Sequence, residues 1–306
     1  MSKYNWIAIQ GKAEIEDNQI VYIPKFSKES PEMKNKGSWE SAAHLKSNGY
    51  FDSGEISFEV LFKERNTGGC MVCLNDGSGD AAAIKIGIHN DGYLFSAAKL
   101  NNNQWDFLQT VGSSEELIPN KRYDFKLVVH GSTVSLFIDG IEIININERI
   151  KKSQVQLHFH GYAKIELSEF KIISQQKKAF VVMQFSDEYN DLYKDVIKPV
   201  AEENGDLICE RADEYFTATP ILRDIENSIK EASVVIADIT PNNANVFYEV
   251  GYSHAIGKPT ILLCDKKGRE KLPFDLSGFR TLFYDNSIAG KGQIEDKLRK
   301  YLKAAF

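Results

Sequence analysis

From Trp6 to about Ile173 apolar and polar side chains take turns along the chain. Gly54-Glu55-Ile56-Ser57-Phe58-Glu59-Val60-Leu61-Phe62 alternates with period two, as a strand with one face in a core and one in water must. Residues 122–129, 134–138 and 141–146 repeat the pattern. Turn formers separate them: Asn75-Asp76-Gly77, Asn90-Asp91-Gly92, His130-Gly131-Ser132 and Asp139-Gly140. No helical period is sustained here, so residues 1–175 are expected to form an all-β sandwich. His158 and His160 alternate around Phe159 and are expected on the sandwich surface.

Past residue 175 the pattern changes. Ala179-Phe180-Val181-Val182-Met183 and Ser233-Val234-Val235-Ile236-Ala237 are continuous apolar runs, which suit strands buried on both faces. Between them Tyr189, Leu192, Tyr193, Val196, Ile197 and Val200 fall on one face of a helix, and a second helix carries Ile221, Leu222, Ile225 and Ile229. Short strands near residues 207–209, 260–263 and 281–284, and helices over 246–256 and around Ile294, Leu298 and Leu302, complete the alternation. Residues 176–306 therefore predict an α/β domain with a doubly wound, flavodoxin-like parallel sheet, joined to the sandwich through a linker at 174–178.

Ligands of such sheets bind beyond the carboxyl ends of the strands. That places Gln184-Phe185-Ser186-Asp187, Arg211-Ala212-Asp213-Glu214, Asp238-Ile239-Thr240 and Asp265 in candidate positions. The turn Thr240-Pro241-Asn242-Asn243-Ala244-Asn245 leads into a helix on which Asn245, Glu249 and Tyr252 share a face. Glu249 lies in the first two turns, where the helix dipole favours an ionised carboxylate able to stabilise a developing sugar cation.

Composition narrows the classes. The chain has 306 residues and a formal net charge of −6, which disfavours nucleic acid as a partner. No apolar run is long enough to span a membrane, and the amino terminus lacks the features of a signal peptide, so a cytoplasmic location is expected. Cys70 and Cys73 form a C-x-x-C within a strand, where residues three apart face opposite ways, so no metal or disulfide is expected from them. No phosphate-binding G-x-x-x-x-G-K, dinucleotide G-x-G-x-x-G or hydrolase G-x-S-x-G occurs in the second half. The Asn75–Asp80 stretch fails the spacing of a calcium loop and reads as a hairpin.

Residues 177–306 resemble the nucleoside 2-deoxyribosyltransferase-like branch of the TIR-like superfamily. The resemblance is carried by Phe180-Val181-Val182-Met183-Gln184-Phe185, Arg211-Ala212-Asp213-Glu214 and, above all, Asn245-Val246-Phe247-Tyr248-Glu249-Val250-Gly251-Tyr252. It implies cleavage of an N-glycosidic bond with Glu249 as nucleophile or charge stabiliser. It also implies substrate contacts from Phe185, Asp213, Asp224, Asp238, Asn243, Asn245 and Tyr252. Asn243 stands where the transferases carry an aspartate, which turns the expectation from deoxynucleoside transfer toward hydrolysis of NAD+, taken as substrate with no bound cofactor. The first half resembles concanavalin A-like or laminin G-like sandwiches through Tyr123-Asp124-Phe125-Lys126-Leu127-Val128-Val129, Val134-Ser135-Leu136-Phe137-Ile138-Asp139-Gly140 and Ile165-Glu166-Leu167-Ser168-Glu169-Phe170-Lys171-Ile172.

Together these predict an assembly-gated NAD+ glycohydrolase of antiviral defence, active as a homo-oligomer, its sandwich sensing a nucleotide or glycan. Three rivals share the sequence: a nucleoside N-glycosidase or deoxyribosyltransferase, a non-catalytic nucleotide receptor, and a lectin-like adaptor in which the sandwich is the working part.

Overall fold

A computed structural model of the chain describes residues 4–27, 30, 41–76, 82–203, 207–214, 221–269 and 271–305. Two compact units emerge, Met1–Val129 with Thr133–Gln175, and His130–Ser132 with Gln176–Phe306.

The first unit is a β-sandwich of two seven-stranded sheets. Numbering strands along the chain, one sheet runs β1 (Trp6–Gln10), β4 (Ala42–Phe51), β13 (Ser153–His160), β6 (Cys70–Leu74), β7 (Ile84–Asp91), β8 (Tyr93–Asn101), β9 (Gln104–Ser113). The other runs β12 (Ile141–Asn147), β11 (Thr133–Ile138), β10 (Arg122–His130), β5 (Gly54–Phe62), β14 (Ile165–Ser174), β3 (Gln19–Tyr22), β2 (Ala13–Glu16). The period-two pattern does what it predicts on β5 and β10. Ile56, Phe58 and Val60 pair with Leu127, Phe125 and Tyr123 and turn into the core, where Phe58 and Phe125 stack at 4.2 Å. Leu45, Leu157, Val72 and Ile86 enter the same core from the facing sheet. Asp139 and Gly140 both adopt positive φ, the backbone a two-residue hairpin turn requires. Gly77, Ser78, Gly79 and Asp80 of the Asn75–Asp80 stretch lie outside the described residues.

The second unit holds five parallel strands in the order β16 (Leu207–Arg211), β15 (Lys177–Val182), β17 (Val234–Asp238), β18 (Thr260–Asp265), β19 (Thr281–Tyr284). Counted within the unit this is 2-1-3-4-5, so the strand order reverses between β15 and β17. Alternate residues of β17 feed two separate cores. Val234 and Ile236 pack with Tyr193, Ile197 and Leu298, while Val235 and Ala237 pack with Ile225, Ile229, Val246 and Val250. Both faces of the sheet are thus covered, which explains the uninterrupted apolar runs.

Three details differ from expectation. The linker is shorter than 174–178, because β14 extends to Ser174 and β15 begins at Lys177. The first helix is interrupted: α1 (Asp187–Leu192) and α2 (Lys198–Glu202) flank a π-helical turn over Tyr193–Ile197, where the Lys198 N–H reaches back to Tyr193 O. Pro199, with no N–H to give, sits just beyond this turn, and the wider winding still buries Tyr193, Val196, Ile197 and Val200. On α3 (Ile221–Glu231) Ile225 and Ile229 are buried, but Ile221 and Leu222 at its start are exposed. Among the described residues no helix is long and apolar enough to cross a membrane.

Candidate functional site

The outer face of the β1–β9 sheet is the most unusual surface of the sandwich. In register across the sheet, Lys46 on β4 lies opposite Gln156 on β13, Gln156 opposite Cys73 on β6, and Cys73 opposite Lys85 on β7. The row continues with Ala98 on β8 and Phe107 on β9. The neighbouring row reads His44, His158, Met71, Gly87, Ser96, Thr110. These residues alternate with Leu45, Leu157, Val72, Ile86 and Ala97 of the core and so point away from it.

Such a face is ordinarily solvated, yet Gln156 is 2% exposed, Ser96 0% and His160 4%. Taller neighbours stand around them: Lys85 Nζ sits 4.4 Å from the centre of the Trp105 ring, and Phe107 packs edge-on against His89 and Tyr93. Trp105, Phe107 and Tyr93 remain partly exposed, at 38%, 50% and 46%. Gly87 is required at its place, since a Cβ there would lie 2.5 Å from Cys70 O. Among the described residues, the Gln156 Oε1 and Ser96 Oγ atoms are buried with no hydrogen-bond partner. Each such group costs roughly 1–3 kcal/mol; Gln156 on β13 and Ser96 on β8 stand three strands apart on this face.

The electrostatics are distinctive. His44 and His158 share a hydrogen bond, and His158 stacks on His160 at 5.4 Å. Burial holds all three imidazoles below the ordinary histidine range, His158 far below and His160 at about 3. They are neutral groups near pH 7. Burial also lowers the Lys85 pKa, while the charge of Asp76 opposes that effect. Neither row contains a carboxylate. Among the described residues no cluster of three or more His, Cys, Asp or Glu is arranged to hold a metal ion. Cys70 points into the core and Cys73 to the outer face.

The histidine expectation is corrected here: His158 and His160 do share a face, but they are buried in it. The other members of the face have one signal in the sequence. The polar positions of β13 are Ser153, Gln154, Gln156, His158 and His160, without a charge, whereas β5 and β10 expose Glu55, Glu59, Asp124 and Lys126. Uncharged polar alternation marks a face that is not simply solvated.

In the second unit the expected residues fall into separate groups. Asp238, at the end of β17, is fully buried; Tyr284 donates its hydroxyl at 2.7 Å and the Thr240 N–H at 2.8 Å. Burial raises its pKa against those bonds. Asn243 caps α4 (Ala244–Ala255), accepting from the Asn245 N–H at 3.0 Å while its own amide donates to Gln184. Asp213 and Phe185 meet at Arg211, itself 3% exposed. The guanidinium donates twice to Asp213 at 2.6 Å, once to Asn190 at 2.9 Å, and faces the rings of Phe185 and Tyr193. Tyr252 lies 6.0 Å from Lys230, and Asp224 accepts the Ser228 hydroxyl at its backbone carbonyl. Glu249 is half-buried on α4, and burial pushes its pKa up to about 7. Among the described residues, no hydrogen bond joins it to Asp213, Asp238, Asn243 or Asn245.

No family model matches the chain, and no curated protein does. Among solved structures it is similar to the carbohydrate-binding module CBM66 from Bacillus subtilis, with 12% identity and a TM-score of 0.44 over 56% of this chain and 96% of that one. It is also similar to a β-1,3-1,4-glucanase (lichenase) from a mouse hindgut metagenome, at 11% identity and TM-score 0.36 over 54% of this chain and 90% of that one. A third is galectin LEC-6 of Caenorhabditis elegans, at 14% identity and TM-score 0.30 over 41% and 89%. At these identities the likeness is one of fold.

The NAD+ glycohydrolase expectation is corrected by these findings, together with its nucleoside-enzyme and nucleotide-receptor alternatives. The similar structures are a carbohydrate-binding module, a glucanase and a galectin. The TIR-like attribution, the antiviral role and the homo-oligomer have no support among them. In the second unit the side chains of Asp213, Asp238 and Asn243 bond to Arg211, to Tyr284 and Thr240, and to the helix cap.

Proposed function

We propose that the chain is a carbohydrate-binding protein whose concanavalin A-like sandwich, residues 1–175, takes a glycan on the outer face of the β1–β9 sheet. In this reading residues 176–306 form a separate flavodoxin-like domain. The observation that carries it is the exposed aromatic pair Trp105 and Phe107 on β9, at the edge of a sheet face whose two polar rows hold Gln156, Ser96 and neutral histidines and no carboxylate. Sugar hydroxyls both donate and accept, which matches an amide, a serine hydroxyl and neutral imidazoles. The C–H face of a pyranose suits an exposed aromatic ring. The printed identities of the similar structures support a glycan ligand.

Those identities also support hydrolysis of a glycosidic bond in general terms. Glycosidases, however, flank the bond with two carboxylates, and the two rows supply none, which favours binding on this face. Titration calorimetry of the full chain against a panel of soluble oligosaccharides tests the reading. At least one should bind saturably, and Trp105→Ala should weaken it about tenfold. If the panel is silent, the face is not a glycan site.

A further inference from the structure

The two rows of this face hold two cations and no carboxylate, although the charge of Asp76 is felt by Lys85 and His44. Lys46 and Lys85 belong to the same row, on β4 and β7, with Gln156 and Cys73 between them. Three steps of about 4.8 Å from strand to strand put their Cα atoms about 14 Å apart. Elsewhere on the sandwich lysines find carboxylates: Lys63 pairs with Glu166 and Lys99 with Glu148 at 2.8 Å each, and Lys121 with Asp139 at 2.6 Å. Among the described residues no carboxylate oxygen lies within 4.0 Å of the ammonium of Lys46 or Lys85.

Lys85 has the stronger claim. Lys85 is half-buried with its ammonium over the Trp105 ring, and the histidines around it are neutral. Asp76 is near enough for its charge to be felt but makes no ion pair with it. A desolvated cation without a counter-ion is costly, and an anion arriving with a ligand offsets that cost. Gln156 lies two strands along the same row, with Cys73 between.

We propose that the glycan taken by this face is anionic, its carboxylate or sulfate ester pairing with the Lys85 ammonium and reaching Lys46 when a second charge follows along the saccharide. The proposal rests on the reading of this face as a glycan site. General attraction of polyanions does not imitate it, because the chain's net charge is −6.

Calorimetry on the full chain decides, with three probes of matched length: oligogalacturonate, a sulfated carrageenan oligosaccharide and a neutral laminari-oligosaccharide. An anionic probe should bind more tightly than the neutral one, and whichever of the two binds identifies the charged group. Lys85→Met should lower that affinity about tenfold or more, and Lys46→Met by less. Raising salt should weaken the wild-type complex and affect the Lys85→Met complex less. Circular dichroism checks that each variant folds; if Lys85→Met does not, Lys46→Met and the salt dependence carry the decision. Equal or tighter binding of the neutral probe, or anionic binding indifferent to both lysines and to salt, overturns the proposal while leaving the face a glycan site. Binding of none of the three, nor of any neutral panel member, removes the site itself.

Discussion

His44 and His158, 114 residues apart in sequence, meet on neighbouring strands with Nε2 and Nδ1 at 2.5 Å. One ring must donate and the other accept, so the contact is lost once both are protonated. Burial already opposes that state in His44, His158 and His160.

The sandwich should therefore weaken in acid. An unfolded histidine takes up its proton near pH 6.5, whereas folded His160 does so only near 3. Between those values the unfolded chain binds more protons, so stability is complete above about pH 6.5 and falls as pH drops toward 3. The slope is about 1.4 kcal/mol per pH unit for each such histidine. Urea unfolding at pH 7.5 and pH 5, followed by tryptophan fluorescence, measures it. Trp6, Trp39 and Trp105 all fall within residues 1–175, so the signal comes from that half. A midpoint unchanged between the two pH values would contradict the assignment of neutral, buried imidazoles.

Glu249 has the opposite sign. Its folded pKa of about 7 exceeds the ordinary 4.5, so the proton is held longer in the folded state and stability falls as pH rises from 4.5 to 7. Glu249→Gln should then be more stable than the parent at pH 8, by on the order of 1 kcal/mol given its partial exposure, and equal to it at pH 4. Helical circular dichroism is the appropriate probe, because no tryptophan lies in residues 176–306.

Removing the hydroxyl that meets Asp238 should be costly. Tyr284→Phe leaves a fully buried carboxylate with one donor fewer, a loss of about 1–3 kcal/mol. Combining it with Asp238→Asn in a double-mutant cycle should show strong coupling. Additive losses in urea unfolding would mean that the bond contributes little.

Gln156 separates stability from binding. Replacing it by Leu removes a buried acceptor that has no partner in the free chain, so the melting temperature should hold or rise, by up to about 1 kcal/mol in stability. Glycan binding should fall at the same time. Loss of stability together with loss of binding would instead make Gln156 an ordinary packing residue.

Much of the fold could be read from the chain because its rule is local. Ile56, Phe58 and Val60 announce a half-buried strand by alternation alone, and β17 announces itself by the lack of it. The outer face obeyed no such rule. β8 has a run of five buried residues from Leu94 to Ala98, and Ser96 among them looks like a tolerated small polar residue until its register with Gly87 and Thr110 is known. His44 acquires its meaning only from His158 on another strand. In the second unit, Asp238 and Arg211 stand out as charges at strand ends, with Thr240 and Asp213 two residues on as near partners, but their other partners, Tyr284 and Asn190, lie 46 and 21 residues away. Register and tertiary pairing decide such sites, and neither is written in residue spacing.

The row from Lys46 to Phe107 takes each side chain from a different strand of one hydrogen-bonded sheet. No loop supplies any of them. Changing a ligand preference here is then a matter of exchanging single letters on a fixed grid, with neither insertion nor deletion of backbone. Gly87 is the grid point closed to such exchange, while half-buried Lys46 and the exposed Trp105 and Phe107 are open to it. A saturation library at those three positions would explore selectivity without disturbing the architecture that holds them.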